Sequence, residues 1–193
     1  EAPVHQNVKD AIVAASELDT RLVMRPLRNT ERVLRNAAVD RLLEQARAGR
    51  VPSATPPRAL IVPHAGYDYS GPTAACAYVQ LEPFRALITR VILIGPAHYV
   101  GFRGLAVPSA EVFATPLGEV PLDQELLDRL ADAGLVRQMD RTHVPEHSLE
   151  VQLPFLQRAL GTFTLVPLAV GEASAAQVAQ VLECLWGGDE TLV

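Results

Sequence analysis

The sequence predicts an α/β protein built on a mainly parallel sheet with helices on both faces. Three observations predict it. The runs "RALIVP" (58–63), "RVILIG" (90–95) and "FTLVPLAV" (163–170) are almost wholly apolar, as strands covered on both sides must be. Other segments carry apolar residues at three- and four-residue spacing, the period of a helix with one buried face. The two kinds of segment alternate along the chain, which is how parallel strands are joined.

The bulk numbers agree. The 193 residues suffice for one domain with a sizeable core. Hydrophobic residues make up 49% and charged residues 20%, the balance of a folded chain rather than a disordered one. The formal net charge of −5 argues against non-specific nucleic-acid binding. No run of 18 apolar residues provides a membrane span. The first residues show no basic segment followed by an apolar run, so a cytoplasmic location is expected. Cys76 and Cys184 lie in separate apolar helical patterns and read as small core residues, not as a disulfide or a metal pair.

Residues 1–57 form an N-terminal helical segment and linker. "VKDAIVAASEL" (8–18) is helical in pattern, and an arginine-rich stretch leads to Thr30, an N-cap candidate. Val33, Leu34, Ala37, Ala38, Leu42 and Leu43 then make one apolar face, Gly49 ends the helix, and "VPSATPPR" (51–58) is a proline-rich linker. Residues 58–193 carry the α/β pattern. After "RALIVP", "PTAACAYVQL" reads as a helix entered through Pro72. After "RVILIG", the stretches "GLAVPSA" and "EVFATP" read as short strands of a hairpin-like excursion. "DQELLDRLADAG" is a helix capped by Asp123 and stopped by Gly134; "HSLEVQLPFLQRAL" is a helix with Pro154 near its first turn. "FTLVPLAV" is followed by a helix with Ser174 as N-cap, and "DETLV" begins a further strand that breaks off at Val193, so the sheet is expected to be incomplete at that end. Its open edge would invite pairing with a second copy of the chain.

Ligands of open parallel sheets bind outside the carboxyl ends of the strands. His64 follows "RALIVP" and His98 follows "RVILIGPA", so both belong to that edge. Two imidazoles from adjacent loops are a usual start for a divalent-metal site. A single histidine in a turn can do no more than bond a carbonyl; the matched strand–Pro–His placement favours a shared site. Pro63 and Pro96 stiffen the two loops, and Gly66 and Gly71 would permit tight or left-handed turns and close approach to a ligand. Tyr67 and Tyr69 could donate to a substrate oxygen, or one could simply pack against the linker. In "THVPEHSLEVQLP" (142–154), Glu146, His147 and Glu150 fall within five residues, with His143 just before. On a helix His147 and Glu150 would share a face, suited to metal ligation or acid–base work, or the acids could merely favour a helix N-terminus. The chain contains no Walker loop, dinucleotide-binding glycine pattern, nucleophile elbow or CxxC pair.

Four segments, "PHAGYDYSG", "ILIGPAHYVG", "TPLGEVPLD" and "EHSLEVQLPFL", occur in an order and spacing that resembles the MEMO family, whose bacterial and archaeal members are termed AmmeMemoRadiSam system protein B. The resemblance covers roughly residues 58–193. It implies a fold similar to class III extradiol dioxygenases, whose non-haem iron is held by two histidines and a glutamate. It implies that His64 and His98 are the metal-site histidines and that the segment with Glu146 and His147 joins the same cleft. The expected ion is iron or copper, with zinc as a further candidate, and the expected chemistry is redox or oxygen chemistry. His147, Glu146 and Tyr67 are the expected catalytic residues, and Tyr69, Gly66 and Tyr99 the expected substrate contacts. The family's system name implies partnership with an AMMECR-type protein and a radical SAM protein. Two alternatives stand beside this: a non-catalytic module binding a peptide or small molecule, and a metallohydrolase with Glu150 as base.

Overall fold

The computed structural model describes residues 23–24 and 32–193. The "VKDAIVAASEL" helix, the arginine-rich stretch after it and the Thr30 cap lie outside the described residues. The strands are β1 (Val23–Met24), β2 (Arg90–Pro96), β3 (Leu105–Val107), β4 (Val112–Thr115), β5 (Gly118–Pro121), β6 (Arg137–Gln138), β7 (Thr164–Val170) and β8 (Thr191–Leu192). The helices are α1 (Arg32–Arg47), α2 (Tyr67–Tyr78), α3 (Gln124–Asp132), α4 (Asp140–His143), α5 (Leu153–Leu160) and α6 (Ala175–Leu185).

The central sheet has the order β6-β3-β7-β2-β8. β2 pairs in parallel with β7 and β8, and β3 in parallel with β6; only β3 and β7 run antiparallel. The predicted α/β class and mainly parallel sheet are therefore present. The backbone of the sheet is the β2–β7 pair, in register from Arg90↔Thr164 to Pro96↔Val170. Leu165, Val166, Leu168 and Ala169 are all fully buried, which is why "FTLVPLAV" is apolar without alternation. Pro167 sits in the middle of this central strand, where a missing N–H would normally break a ladder. Thr164 and Val170 direct their backbone bonds to the β2 side, and Leu165 accepts from Asp123 on the other side. Pro167 shares the orientation of Leu165, and β3 reaches only Ala169 and Val170, so no neighbouring strand asks Pro167 for a donor.

Two groups of helices pack on this sheet: α1, α2 and α5 together, and α3 with α6. The first confirms a helix after residue 31, although its buried stripe is Val39, Leu43 and Ala46, while Ala37 is exposed. Asp123 caps α3 by accepting from the Leu126 N–H at 3.2 Å, and Gly134 follows it with φ +68°. Ser174 and Gln177 form a reciprocal capping box at the start of α6. The two short strands expected after "RVILIG" are present as β3 and β4, but they do not form a hairpin with each other: β3 joins the central sheet, and β4 pairs with β5, a strand not expected from the sequence, in a second sheet of order β1-β4-β5.

The structure corrects four expectations. "RALIVP" carries no assigned strand; it touches the sheet at one point, where Leu60 N–H donates to Val193 O (2.8 Å) and Val193 N–H donates to Arg58 O (3.0 Å). With no strand beside residues 61–63, Ile61 is fully exposed, so an apolar run alone overstated the burial. α2 starts at Tyr67, not at Pro72, and Pro72 lies inside it. Gly66 and Gly71 adopt no left-handed turn: Gly66 has φ −58°, and Gly71 lies within α2, where a Cβ would come within 2.7 Å of Leu42 Cδ1. Gly71 thus serves the close approach of α2 to α1. Cys76 and Cys184 are free thiols and both are exposed, since each falls on the outer side of its helix.

Candidate metal centre

The two histidine loops converge as their positions after apolar runs implied. His98 leaves the carboxyl end of β2 through Ala97, whose N–H donates to Val170 O at 2.9 Å. His64 leaves the "RALIVP" segment and stands three positions before Tyr67, where α2 begins. Their ring centroids stand 5.2 Å apart. His147 completes a triangle, with centroids 4.9 Å from His98 and 6.2 Å from His64. A ring nitrogen about 2.1 Å from an ion puts the ring centre roughly 3.2 Å away, so two adjacent imidazole ligands have centroids about 4.5–5.3 Å apart. The pairs including His98 fall in that range, and His64–His147 lies beyond it.

Glu146 sits beneath this triangle with its side chain 1% exposed. His98 donates to it twice, from its backbone N–H to Oε2 (2.6 Å) and from Nδ1 to Oε1 (2.9 Å), and the Ser148 N–H donates to Oε1 (2.9 Å). Burial alone would raise the Glu146 pKa; the hydrogen bonds from His98 and Ser148 outweigh it and bring the value down to about 2. An ionised carboxylate only accepts, so the proton of a neutral His98 ring is held on Nδ1 and its lone pair is on Nε2. That is the arrangement in which a buried carboxylate orients a metal-binding imidazole. Oε1 takes two of these donors and Oε2 one, and His147 Nδ1 stands 3.6 Å from Oε1. His98, Glu146 and His147 each offer a ligand atom within 4.8 Å of the others, a set able to hold a metal ion. The nitrogen-rich donor set suits iron, copper or zinc.

The remaining expected residues surround this centre unequally. Tyr99 approaches His147, its hydroxyl 3.4 Å from Nδ1, and is itself half exposed. Tyr69 projects almost wholly into solvent from the first turn of α2. Tyr67 faces inward: its hydroxyl donates to Val151 O (3.0 Å) and its ring meets Phe155 edge-on. Gly66 stands where α2 begins, with open space where a Cβ would be. The expected helix from His147 does not form. A 3-10 turn, Glu150–Gln152, precedes α5, so His147 lies in the loop before it and does not share a helix face with Glu150. Pro154 in the first turn of α5 is as expected.

His143 stands apart from the triangle. It is buried, its Nε2 donates to Ala106 O (3.2 Å), and its Nδ1 has no hydrogen-bond partner among the described residues. Beside His64 a cavity of about 290 Å³ opens between residues 59–62 and β2, walled mainly by apolar side chains such as Leu60, Val62, Ile92 and Leu156. Sequence reasoning quoted Ser148 and Gln152 without giving them a role, yet both are buried polar residues at this site. The signal available was a serine and a glutamine four apart, interleaved with Leu149, Val151 and Leu153.

A mixed, mostly parallel sheet with a histidine–carboxylate cluster at its carboxyl edge defines the class of this domain. The family described as Memo-like protein matches residues 33–186, and the chain belongs to it. Protein MEMO1 of Homo sapiens is 34% identical over 147 residues, covering 74% of this chain and 48% of that one. Protein MEMO1 of Danio rerio is 37% identical over the same length and shares. The memo-1 homolog of Caenorhabditis elegans is 40% identical over 117 residues, covering 59% of this chain and 33% of its own. The chain spans about half the length of the MEMO1 relatives it matches.

Proposed function

We propose that His64, His98 and His147 hold a divalent metal, iron or copper before zinc, in a cleft used for redox or oxygen chemistry on a small molecule. The observation that carries this reading is the triangle of imidazoles over a buried carboxylate that fixes the tautomer of His98. When bound, such an ion supplies a redox-active Lewis acid with positions left for exchangeable ligands. The protein's own groups then divide the work. Glu146 stays ionised and orients His98, so it is a positioning residue and a poor proton carrier. Tyr99 sits at hydrogen-bonding range of His147, so the two can pass a proton at the rim. Tyr69 can contact a substrate from the solvent side, Gly66 leaves room for one, and Tyr67 holds the 150–152 turn through Val151. The apolar cavity beside His64 favours a ligand with an aromatic or aliphatic portion. The AMMECR-type and radical SAM partners belong to the same proposal and rest on the family resemblance, and the cytoplasmic location belongs to it as the expectation drawn from the first residues of the sequence.

The experiment is elemental analysis of the purified chain beside a His64→Ala/His98→Ala double variant. Near-stoichiometric iron or copper that the double variant loses is the expected result. Absence of any bound metal after anaerobic loading with Fe(II) and with Cu(I) would sink the metal reading and favour a cleft that binds its ligand without an ion.

A further inference from the structure

Each histidine loop contains a proline just before its histidine: Pro63 next to His64, and Pro96 two residues before His98. A proline has no N–H, so its carbonyl is the only backbone polar group by which that residue can be held. Both carbonyls are taken by side chains of one short segment. Ser148 Oγ donates to Pro96 O at 2.9 Å, and Gln152 Nε2 donates to Pro63 O at 3.1 Å. The two donors are 3% exposed each, so each donor group is shielded, while Pro63 and Pro96 are themselves exposed. Gln152 is fixed in turn, because its Oε1 accepts from the buried Tyr78 hydroxyl at 2.8 Å, and Tyr78 stacks on Phe155 at 5.2 Å. Ser148 is fixed by the β2 backbone: a Cβ on Gly95 would lie 2.7 Å from its Oγ, so glycine there makes the space Ser148 fills.

The geometry points to Ser148 and Gln152 as the positioning residues that set the separation of His64 and His98, acting through the two proline carbonyls. This inference rests on the metal-centre reading for its purpose, though not for its geometry. His64 lies in a segment with little sheet pairing, whereas His98 is anchored at both its backbone N–H and its ring by Glu146. Gln152 therefore matters more to His64 than Ser148 does to His98. Without Gln152, His64 would sample positions that do not face His98.

The test uses the metal-free protein first. Long-range ¹H–¹⁵N NMR of the imidazole rings is recorded for wild type, Gln152→Met, Ser148→Ala and Tyr78→Phe. Gln152→Met keeps the length of the side chain and removes both bonds. Shifted or exchange-broadened His64 signals in Gln152→Met, with the His98 signals kept, are expected; Ser148→Ala should move the His98 signals by less. Tyr78→Phe leaves the Pro63 bond in place and should perturb His64 in the same sense but less, and it serves should Gln152→Met not fold. Unchanged His64 signals in Gln152→Met, or in Tyr78→Phe where Gln152→Met does not fold, would overturn the inference, whatever the protein does with metals. Cu(II) titration followed by electron paramagnetic resonance then reads the consequence. A loss of about 10–100-fold in affinity, with fewer nitrogen couplings, is expected in Gln152→Met, the cost usual for an outer partner of a metal ligand. A wild type that takes up no copper at all fails the metal reading alone, and the imidazole spectra still decide the positioning role.

Discussion

Glu146 and His143, three positions apart, are both buried and titratable, yet their surroundings drive them to opposite ends of usefulness. Glu146 is buried among donors, so its charge is stabilised and helps orient His98. His143 is buried with one carbonyl partner and one bare nitrogen, so its charged form is penalised and its pKa falls to about 4, with burial as the main cause. The sign of its effect on stability follows from the proton count. Below the ordinary histidine value near 6.5 the unfolded chain binds a proton that the folded chain refuses until about pH 4. Its neutral burial is therefore harmless above about pH 6.5, and stability is lost as the pH falls from there toward 4. Between pH 7.5 and 5 the loss amounts to about 2 kcal/mol. Urea denaturation at the two values should show it in wild type and show it much reduced in His143→Phe. Equal pH dependence in the two proteins would mean that His143 is not the group responsible.

Glycine shows how an element can depend on a missing atom. At Gly95 in β2 an added Cβ would meet Ser148 Oγ at 2.7 Å and Leu149 Cδ2 at 2.8 Å, in the tightly held loop that carries Glu146 and His147. At Gly71 in α2 it would meet the end of the Leu42 side chain at 2.7 Å, which has freedom to turn aside. Alanine also suits a helix interior better than glycine by about 1 kcal/mol. Gly95→Ala should therefore destabilise by about 1–3 kcal/mol, as overpacking does, while Gly71→Ala should change stability by under about 1 kcal/mol. Chemical denaturation of both variants checks the order, and a Gly71→Ala change larger than that of Gly95→Ala would contradict it. Such positions also mark where the sequence was readable. β2, β7, α3 and α6 were legible because their apolar periodicity and caps (Asp123, Ser174) act locally. The loop from His147 to Leu149 was not, because the contacts that place it, from Ser148 to Pro96 and from His98 to Glu146, join residues distant in sequence. The start of α2 was misplaced for a related reason: Pro72 signals a first turn, yet the helix carries it five residues in. The histidine pair was legible from its place after two apolar runs; that His147 would join it was expected only from the family resemblance, since it depends on how a loop folds back over β2.

At the scale of the whole molecule, the candidate centre draws His64, His98 and His147 from three segments far apart in the chain and gathers them at the carboxyl edge of the sheet. None of the three could be near the others in an unfolded chain, so an ion bound to them all binds the folded state in preference. Mass action then converts affinity into stability: at a free metal concentration about 100 times the Kd, folding gains about 2.7 kcal/mol. For a chain of this length that corresponds to a rise in Tm of roughly 5–11 °C. The gain should vanish in the His64→Ala/His98→Ala variant and shrink in Gln152→Met, which keeps all three imidazoles but loosens one. Thermal melts of the three proteins, with and without added Cu(II), read this directly. An equal rise in wild type and double variant would place the ion elsewhere on the surface, for instance on the exposed thiols of Cys76 and Cys184. Substituting both cysteines by serine before the melts removes that route, and a rise that survives it only while the histidines are intact belongs to the triangle.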